Sequence, residues 1–169
     1  YTWEMIRVGG GLVGINTAHP NRIVSEAIAA GSIPELAGYD TLRREVKYGR
    51  NSRIDILLQS EGKPDCYVEI KNVHLMRNPG VAEFPDSVST RAAKHQDELA
   101  GMIEAGARAV GVYLCQREDC TGFRLADDID PDYAAAAKAA HARGVEAIAY
   151  ACALSPERIA VSRPLEILS

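Results

Sequence analysis

Between Leu42 and Leu75 the chain carries three short β-rich runs, Leu42–Tyr48, Arg53–Gln59 and Cys66–Leu75. Only turn residues separate them: Gly49-Arg50-Asn51-Ser52, then Ser60-Glu61-Gly62-Lys63-Pro64-Asp65. Connections that short join antiparallel neighbours, so the pattern predicts a three-stranded meander. A helix is expected before it, over Asn21–Ala30, with Ile23, Val24, Ala27 and Ile28 on one face; Asn21 can cap its start and Gly31 its end. A second helix is expected over Val88–Ala105, with Val88, Ala92, Leu99, Met102 and Ile103 facing inward. The nearly all-apolar run Ala107–Cys115 reads as a buried strand. Pro131 opens a helix to about Ala142, closed by Gly144, and Glu146–Leu154 supplies one more apolar strand. The first fifteen residues, around Gly9-Gly10-Gly11, read as a strand, a loop and an entry segment. The order is helix, three strands, helix, strand, helix, strand: an α/β architecture with a mixed sheet and helices on both faces.

Composition narrows the functional classes. With 169 residues, 47% hydrophobic and 25% charged, the chain can build one domain with a real core. No apolar run approaches the ~20 residues of a membrane helix, and no signal-peptide pattern opens the chain. Cys66, Cys115, Cys120 and Cys152 form no CxxC pair, and His19, His74, His95 and His141 add no zinc spacing. Buried free thiols in a reducing cytoplasm are the expectation. The net charge of −4 does not by itself point to nucleic acid. Its distribution is uneven, however. Arg43, Arg44, Lys47, Arg50 and Arg53 crowd one segment against Glu45 alone, whereas six acids lie between Glu118 and Asp132 against Arg124. One end of an acidic protein is thus able to face a polyanion.

The chemistry lies in the meander. Side chains alternate faces along a strand, which groups Tyr67, Glu69 and Lys71 on one face of the third run and Cys66, Val68 and Ile70 on the other. In the second run the same rule groups Ile54, Ile56 and Leu58 against Arg53, Asp55 and Leu57. A hairpin centred at Gly62 sets Asp55 opposite Glu69, with Cβ atoms roughly 5 Å apart. Two carboxylates so close repel, and a divalent cation with oxygen ligands relieves them. Lys71 points the same way, and acid, acid, lysine and metal suit phosphodiester hydrolysis. A solvated face with a cross-strand ion pair is the competing reading. Asp65 is a decoy: four residues from Glu69 along one strand, it lies about 13 Å away and is a turn residue. Asp86, just before a helix, reads as a turn or capping residue. His95 is able to approach the polar sheet face, although a hydrogen-bonded, partly buried role is the stronger expectation. Tyr48 reads as packing. Gly9-Gly10-Gly11 lacks the Lys-Ser/Thr ending of a phosphate loop.

Several runs together resemble the sugar fermentation stimulation protein A family: Val13-Gly14-Ile15-Asn16-Thr17, His19-Pro20-Asn21, Ile33-Pro34-Glu35-Leu36 and Arg43-Arg44-Glu45-Val46-Lys47-Tyr48-Gly49. Ser52-Arg53-Ile54-Asp55, Tyr67-Val68-Glu69-Ile70-Lys71-Asn72-Val73, Phe84-Pro85-Asp86, Lys94-His95 and Ser155-Pro156 add to it. The resemblance implies a cytoplasmic, DNA-binding protein of bacteria or archaea, linked by name to sugar utilisation. It also implies a restriction-endonuclease-like PD-(D/E)XK domain with a helix–three-strand meander–helix–strand core. The motif then falls on Asp55, in Ile-Asp rather than Pro-Asp, and on Glu69 and Lys71. Glu26 on the first helix matches the helical acid that often completes the metal site. Family members usually carry an OB-like barrel ahead of this region. Residues 1–15 are accordingly read as a remnant or linker of a largely absent domain, and 16–169 as the nuclease-like domain. With Trp3 and few other aromatics, stacking platforms for single strands are scarce.

The functional expectation is a DNA-binding protein with a metal-dependent, nuclease-like site. Asp55, Glu69, the Ile70 carbonyl and Glu26 would hold Mg2+ or Mn2+, and Lys71 would orient the water. Arg43, Arg44, Lys47, Arg50 and Arg53 would draw in phosphates. The resemblance is compatible with a homodimer, and no membrane partner is expected. The alternative is a non-catalytic DNA-binding regulator of sugar-metabolism genes on a nuclease fold, since fold alone does not decide function.

Overall fold

The computed structural model describes residues 4–9, 11–49 and 52–169. Gly10, Arg50 and Trp3 therefore lie outside the described residues. In chain order the elements are β1 (Met5–Val8), β2 (Gly11–Gly14), α1 (Pro20–Ala29), β3 (Thr41–Tyr48), β4 (Ser52–Gln59), β5 (Cys66–Val73), β6 (Leu75–Asn78) and β7 (Val81–Phe84). They continue with α2 (Thr90–Glu104), β8 (Arg108–Cys115), β9 (Gly122–Leu125), α3 (Pro131–Ala142), β10 (Glu146–Ser155), β11 (Arg158–Pro164) and β12 (Glu166–Ile167). No helix of the described residues is long and apolar enough to cross a membrane.

A six-stranded mixed sheet in the order β11-β10-β8-β5-β4-β3 is the centre of the fold. Strands β3, β4 and β5 form the expected antiparallel meander, and β5, β8 and β10 run parallel because α2 and α3 return the chain between them. On one face, Ile23, Val24 and Ala27 of α1 pack against Ile56, Leu58, Val68, Ile70, Val110, Val112 and Leu114. The other face carries two separate apolar clusters. Tyr48, Ile54, Leu57, Leu99, Ala100 and Ala140 form one; Val73, Tyr113, Cys115, Phe123, Tyr133 and Ala149 form the other. Tyr67 borders the first cluster and Val73 belongs to the second, so Glu69 and Lys71 fall in the gap between them. That gap holds a buried acid and a buried lysine side by side.

Helix ends follow local rules with one exception. Gly31 and Gly144 adopt φ of 71° and 105° just past α1 and α3, a region open to glycine at little cost. Ser89 caps α2 by accepting from Ala92 N, and Asp130 caps α3 by accepting from Tyr133 N. The second oxygen of the buried Asp130 accepts from Ser89 N at 2.8 Å, which ties the two helix starts together. Asp86 is therefore not the cap of α2; it lies in the turn before it. Nor does Asn21 cap α1: His19 occupies that position without a side-chain bond, and Asn21 is used elsewhere.

Three other sequence expectations change. Val88 is 68% exposed because α2 starts two residues later, at Thr90. Leu75 leaves the third strand and opens β6 of a second sheet, ordered β12-β9-β7-β6, and Arg117 donates to the His74 carbonyl between the two strands. Ile54 packs with Leu57 on the α2 side rather than with Ile56 and Leu58. The cause is a break in the β3–β4 ladder, whose pairs skip from Arg44↔Ile56 to Val46↔Ile54. Glu45 at the break sits in the left-handed region, φ 54°, costly for a residue with a Cβ. This turns the strand ends over.

In the segment read as an entry or linker, Met5–Val8 and Gly11–Gly14 pair as antiparallel strands, with Met5 and Leu12 against the α1-side core. Gly14 N donates to Gln116 O at 2.9 Å, and a Cβ at Gly14 would stand 2.5 Å from Oε1 of Gln116, which is 0% exposed. Gly14→Ala is expected to destabilise the fold by about 1–3 kcal/mol through this clash. A urea midpoint equal to that of the parent would show that this contact is not close-packed.

Candidate active site

Strand alternation delivers Glu69 and Lys71 to the α2 face, and the parallel partner β8 keeps them there, with Glu69 beside Gly111 and Lys71 beside Tyr113. Both side chains are buried, at 6% and 9% exposure, and Lys71 Nζ donates to Glu69 Oε1 at 2.9 Å. His95 Nδ1 meets the same oxygen, also at 2.9 Å. Oε2 of Glu69 is buried with no hydrogen-bond partner. An unpaired buried carboxylate oxygen is costly, so its persistence needs a reason.

Asp55 reaches the site from the other strand. The β4–β5 ladder ends at Ile56↔Val68, one pair short of Asp55 and Glu69. Where the pairing stops, the Asp55 carboxylate takes over: Oδ2 accepts from Ile70 N at 2.7 Å and Oδ1 from Asn21 Nδ2 at 2.9 Å. In an extended strand a residue's N–H and C=O leave the same edge. The Ile70 carbonyl therefore faces the opening that Asp55 fills. Asp55, Glu69, Lys71 and Ile70 are thus brought together at the point where two strands part.

Glu26 is not brought to them. It lies about 140° around α1 from Asn21, and its half-exposed carboxylate pairs with Arg22 at 3.6 Å. Asn21 is the α1 residue that touches the acids. Arg43, Arg44, Lys47 and Arg53 are all exposed on the edge pair β3–β4, with Lys47 directly opposite Arg53. Ion pairs of the described residues use other cations. Arg50 lies outside the described residues. Asp65 is a loop residue that accepts from Gln59.

Asn21, read from the sequence as a helix cap, is instead a partner of Asp55. Ser52, read as a turn residue, and Glu98 and Gln96, which carry no sequence signal, also enter buried or part-buried bonds. Ser52 donates to Glu98, and Gln96 donates to Tyr133, whose hydroxyl meets that of Tyr113 at 2.8 Å. The signal for α2 was helical spacing: His95 stands three residues after Ala92 and four before Leu99, on the inward stripe. Tyr48 is buried and packs tilted against Tyr67, as expected, but its hydroxyl has no partner among the described residues.

The two acids titrate in opposite directions. Burial raises Asp55, and the nearby Glu69 charge adds to this, against the Ile70 and Asn21 bonds and Lys71. For Glu69 burial also opposes ionisation, but the His95 bond and Lys71 outweigh it and its pKa falls. The acids and the carbonyl are hard oxygen donors. Among the described residues no three His, Cys, Asp or Glu side chains gather as a ligand group. That excludes a closed cage there but fits Mg2+, which takes one or two carboxylates and keeps several waters. A cleft of about 910 Å³ lies elsewhere, lined from α3, the middle of β8, β9, the start of β10 and the last residues of the chain, and includes none of Asp55, Glu69 and Lys71.

Fold and site define a mixed α/β protein with a buried carboxylate–lysine pair beside a second acid. The family model for the sugar fermentation stimulation protein RE domain matches residues 18–158. Sugar fermentation stimulation protein homologs of Rhodospirillum centenum and Paramagnetospirillum magneticum are each 60% identical, over 99% and 98% of this chain and 72% and 70% of their own lengths. The solved structure of Pyrococcus furiosus SfsA in complex with Ca2+ is similar at a TM-score of 0.87 and 27% identity, covering 98% of this chain and 71% of that one. The chain belongs to the sugar fermentation stimulation protein A family.

Because the folded Glu69 pKa lies below the unfolded value of ~4.3, its carboxylate contributes stability that is complete above that value. The contribution is lost as pH falls through the lower, folded pKa. Asp55 has the opposite sign, its ionisation costing stability as pH rises through its raised pKa. The stability advantage of the parent over Glu69→Gln is expected to hold from pH 7 to 5 and to shrink below about 4. Urea unfolding across that range measures it; a pH-independent difference would contradict the assigned direction.

Proposed function

We propose that this chain is a DNA-binding protein with a metal-dependent, nuclease-like site on a restriction-endonuclease-like core, hydrolysing phosphodiester bonds through Asp55, Glu69 and Lys71. The observation that carries the reading is Glu69 itself: one oxygen is held by two donors and the other is buried and bare, beside a second acid and a backbone carbonyl. A bare buried oxygen costs free energy, and a cation bound there would offset that cost. The Pyrococcus relative, described in complex with Ca2+, supports a hard cation at a site of this family.

Asp55, Glu69 and the Ile70 carbonyl would hold Mg2+ or Mn2+. Bound there, the cation would neutralise charge on a phosphate and acidify a water. Asp55 keeps its orientation through Asn21 and Ile70 N. Lys71, fixed on Glu69 at 2.9 Å, presents its remaining N–H donors to the water and the phosphate. Arg43, Arg44, Lys47 and Arg53 lie exposed on the neighbouring strands, placed to attract a polyanion by counterion release.

Calorimetric titration of Mg2+ or Mn2+, run beside cleavage of plasmid and single-stranded DNA, tests the reading. Asp55→Asn is expected to lose cation binding and cleavage. Lys71→Met is expected to keep the cation and lose cleavage by a factor on the order of 100 or more. Full cleavage by either variant sinks the assignment. DNA binding with a cation bound but no cutting favours a regulator on this fold. Reversing Arg43 and Arg44 to Glu should reduce the salt slope of DNA binding by about 1 per lost phosphate contact. An unchanged slope would make these arginines a solvated strand face.

A further inference from the structure

We infer that His95 is a positioning residue of this site: by donating from Nδ1 to Glu69 Oε1, beside Lys71, it fixes the carboxylate so that Oε2 alone is presented to a divalent cation. The inference rests on the reading of the acids as a cation site and adds a residue to it.

The argument begins with where the donors fall. Lys71 already supplies a full counter-charge to Glu69 at 2.9 Å. If burial of the carboxylate were the only problem, a second donor would be most useful on the bare oxygen, because leaving Oε2 unpaired forfeits a hydrogen bond in an apolar setting. Instead His95 joins Lys71 on Oε1, and Oε2 has no partner. Two donors on one oxygen and none on the other is the distribution expected when the second oxygen is reserved for a ligand. Such partners around metal ligands fix orientation and basicity.

The histidine is itself held. It is 12% exposed and sits on the inward stripe of α2. Arg91 Nε approaches its Nε2 at 3.5 Å, an arrangement that leaves Nε2 as acceptor and the proton on Nδ1, facing Glu69. The next residue, Gln96, bonds the Tyr133 hydroxyl at 3.1 Å, and Tyr133 meets Tyr113, which stands beside Lys71 in the sheet. Helix α2 is thereby pinned on both sides of the Glu69–Lys71 pair. Its start is locked to α3 through Ser89 and Asp130. The helix cannot roll without withdrawing Nδ1 from the carboxylate.

The test is cation affinity, read by calorimetry with Ca2+ and Mn2+ in the absence of DNA, for the parent, Asp55→Asn, His95→Ala, His95→Asn and His95→Gln. Asn places its amide nitrogen where Nδ1 stands, whereas the Gln nitrogen falls nearer Nε2. His95→Ala is expected to weaken the cation about 10-fold or more, with circular dichroism unchanged. His95→Asn should stay within about 3-fold of the parent and His95→Gln should resemble Ala. If the Ala variant fails to fold, the Asn–Gln contrast decides alone. Ala equal to the parent, or Asn as weak as Gln, overturns the inference while loss of binding in Asp55→Asn leaves the cation site standing. A parent that binds neither ion overturns both.

Discussion

The arrangement depends on one buried charge. Glu69 stands between two apolar clusters on the same face of the main sheet, where an unpaired carboxylate would be expelled or neutralised. Lys71, two residues further along the same strand, is the counter-charge that strand geometry can deliver. His95 comes from a helix pinned at Ser89, Asp130 and Gln96. Those fastenings explain why α2 sits where it does and why the core on this face is divided in two. A polar layer runs through it from Glu69 to the Tyr133 and Tyr113 hydroxyls.

The second constraint is the parting of β4 and β5. Pairing stops at Ile56↔Val68, and the Asp55 side chain satisfies the N–H that the ladder no longer reaches. Glu45 in the left-handed region and the reversed packing of Ile54 belong to the same disturbance. Broken pairing leaves an edge of the sheet open there, where Asp55 bonds Ile70 N and feels the Glu69 charge. An undistorted hairpin would have buried that edge in hydrogen bonds. The exposed Arg43, Arg44, Lys47 and Arg53 lie on β3 and on β4, the strand that also carries Asp55.

Much of the fold was legible in the chain because its signals are local. The meander, both long helices and the two parallel strands follow from turn residues, apolar spacing and the glycines at 31 and 144. The misses share a cause. Asn21 read as a cap because that is what an Asn before an apolar helix does locally; its bond to Asp55, 34 residues away, has no local trace. Strands β1, β2, β6, β7, β9 and β12 are short pieces of two to four residues, too brief for alternation to mark them, and β9 and β12 find their partners far along the chain. Glu26, a helical acid by residue type, pairs with Arg22 one turn back on α1.

What the amino-acid sequence determined by itself is the grouping of residue types: Glu69 and Lys71 on one strand face by two-residue alternation, Asp55 at the matching height, and His95 on the inward stripe of its helix. These are consequences of backbone periodicity and need no tertiary information. Only the tertiary structure decided which oxygen of Glu69 is held and which is bare, that Asn21 rather than Glu26 reaches the acids, and that the ladder opens at Asp55. Periodicity states which way a side chain points, whereas hydrogen-bond partners and strand divergence depend on how separate elements pack, and that is settled only when the whole core closes.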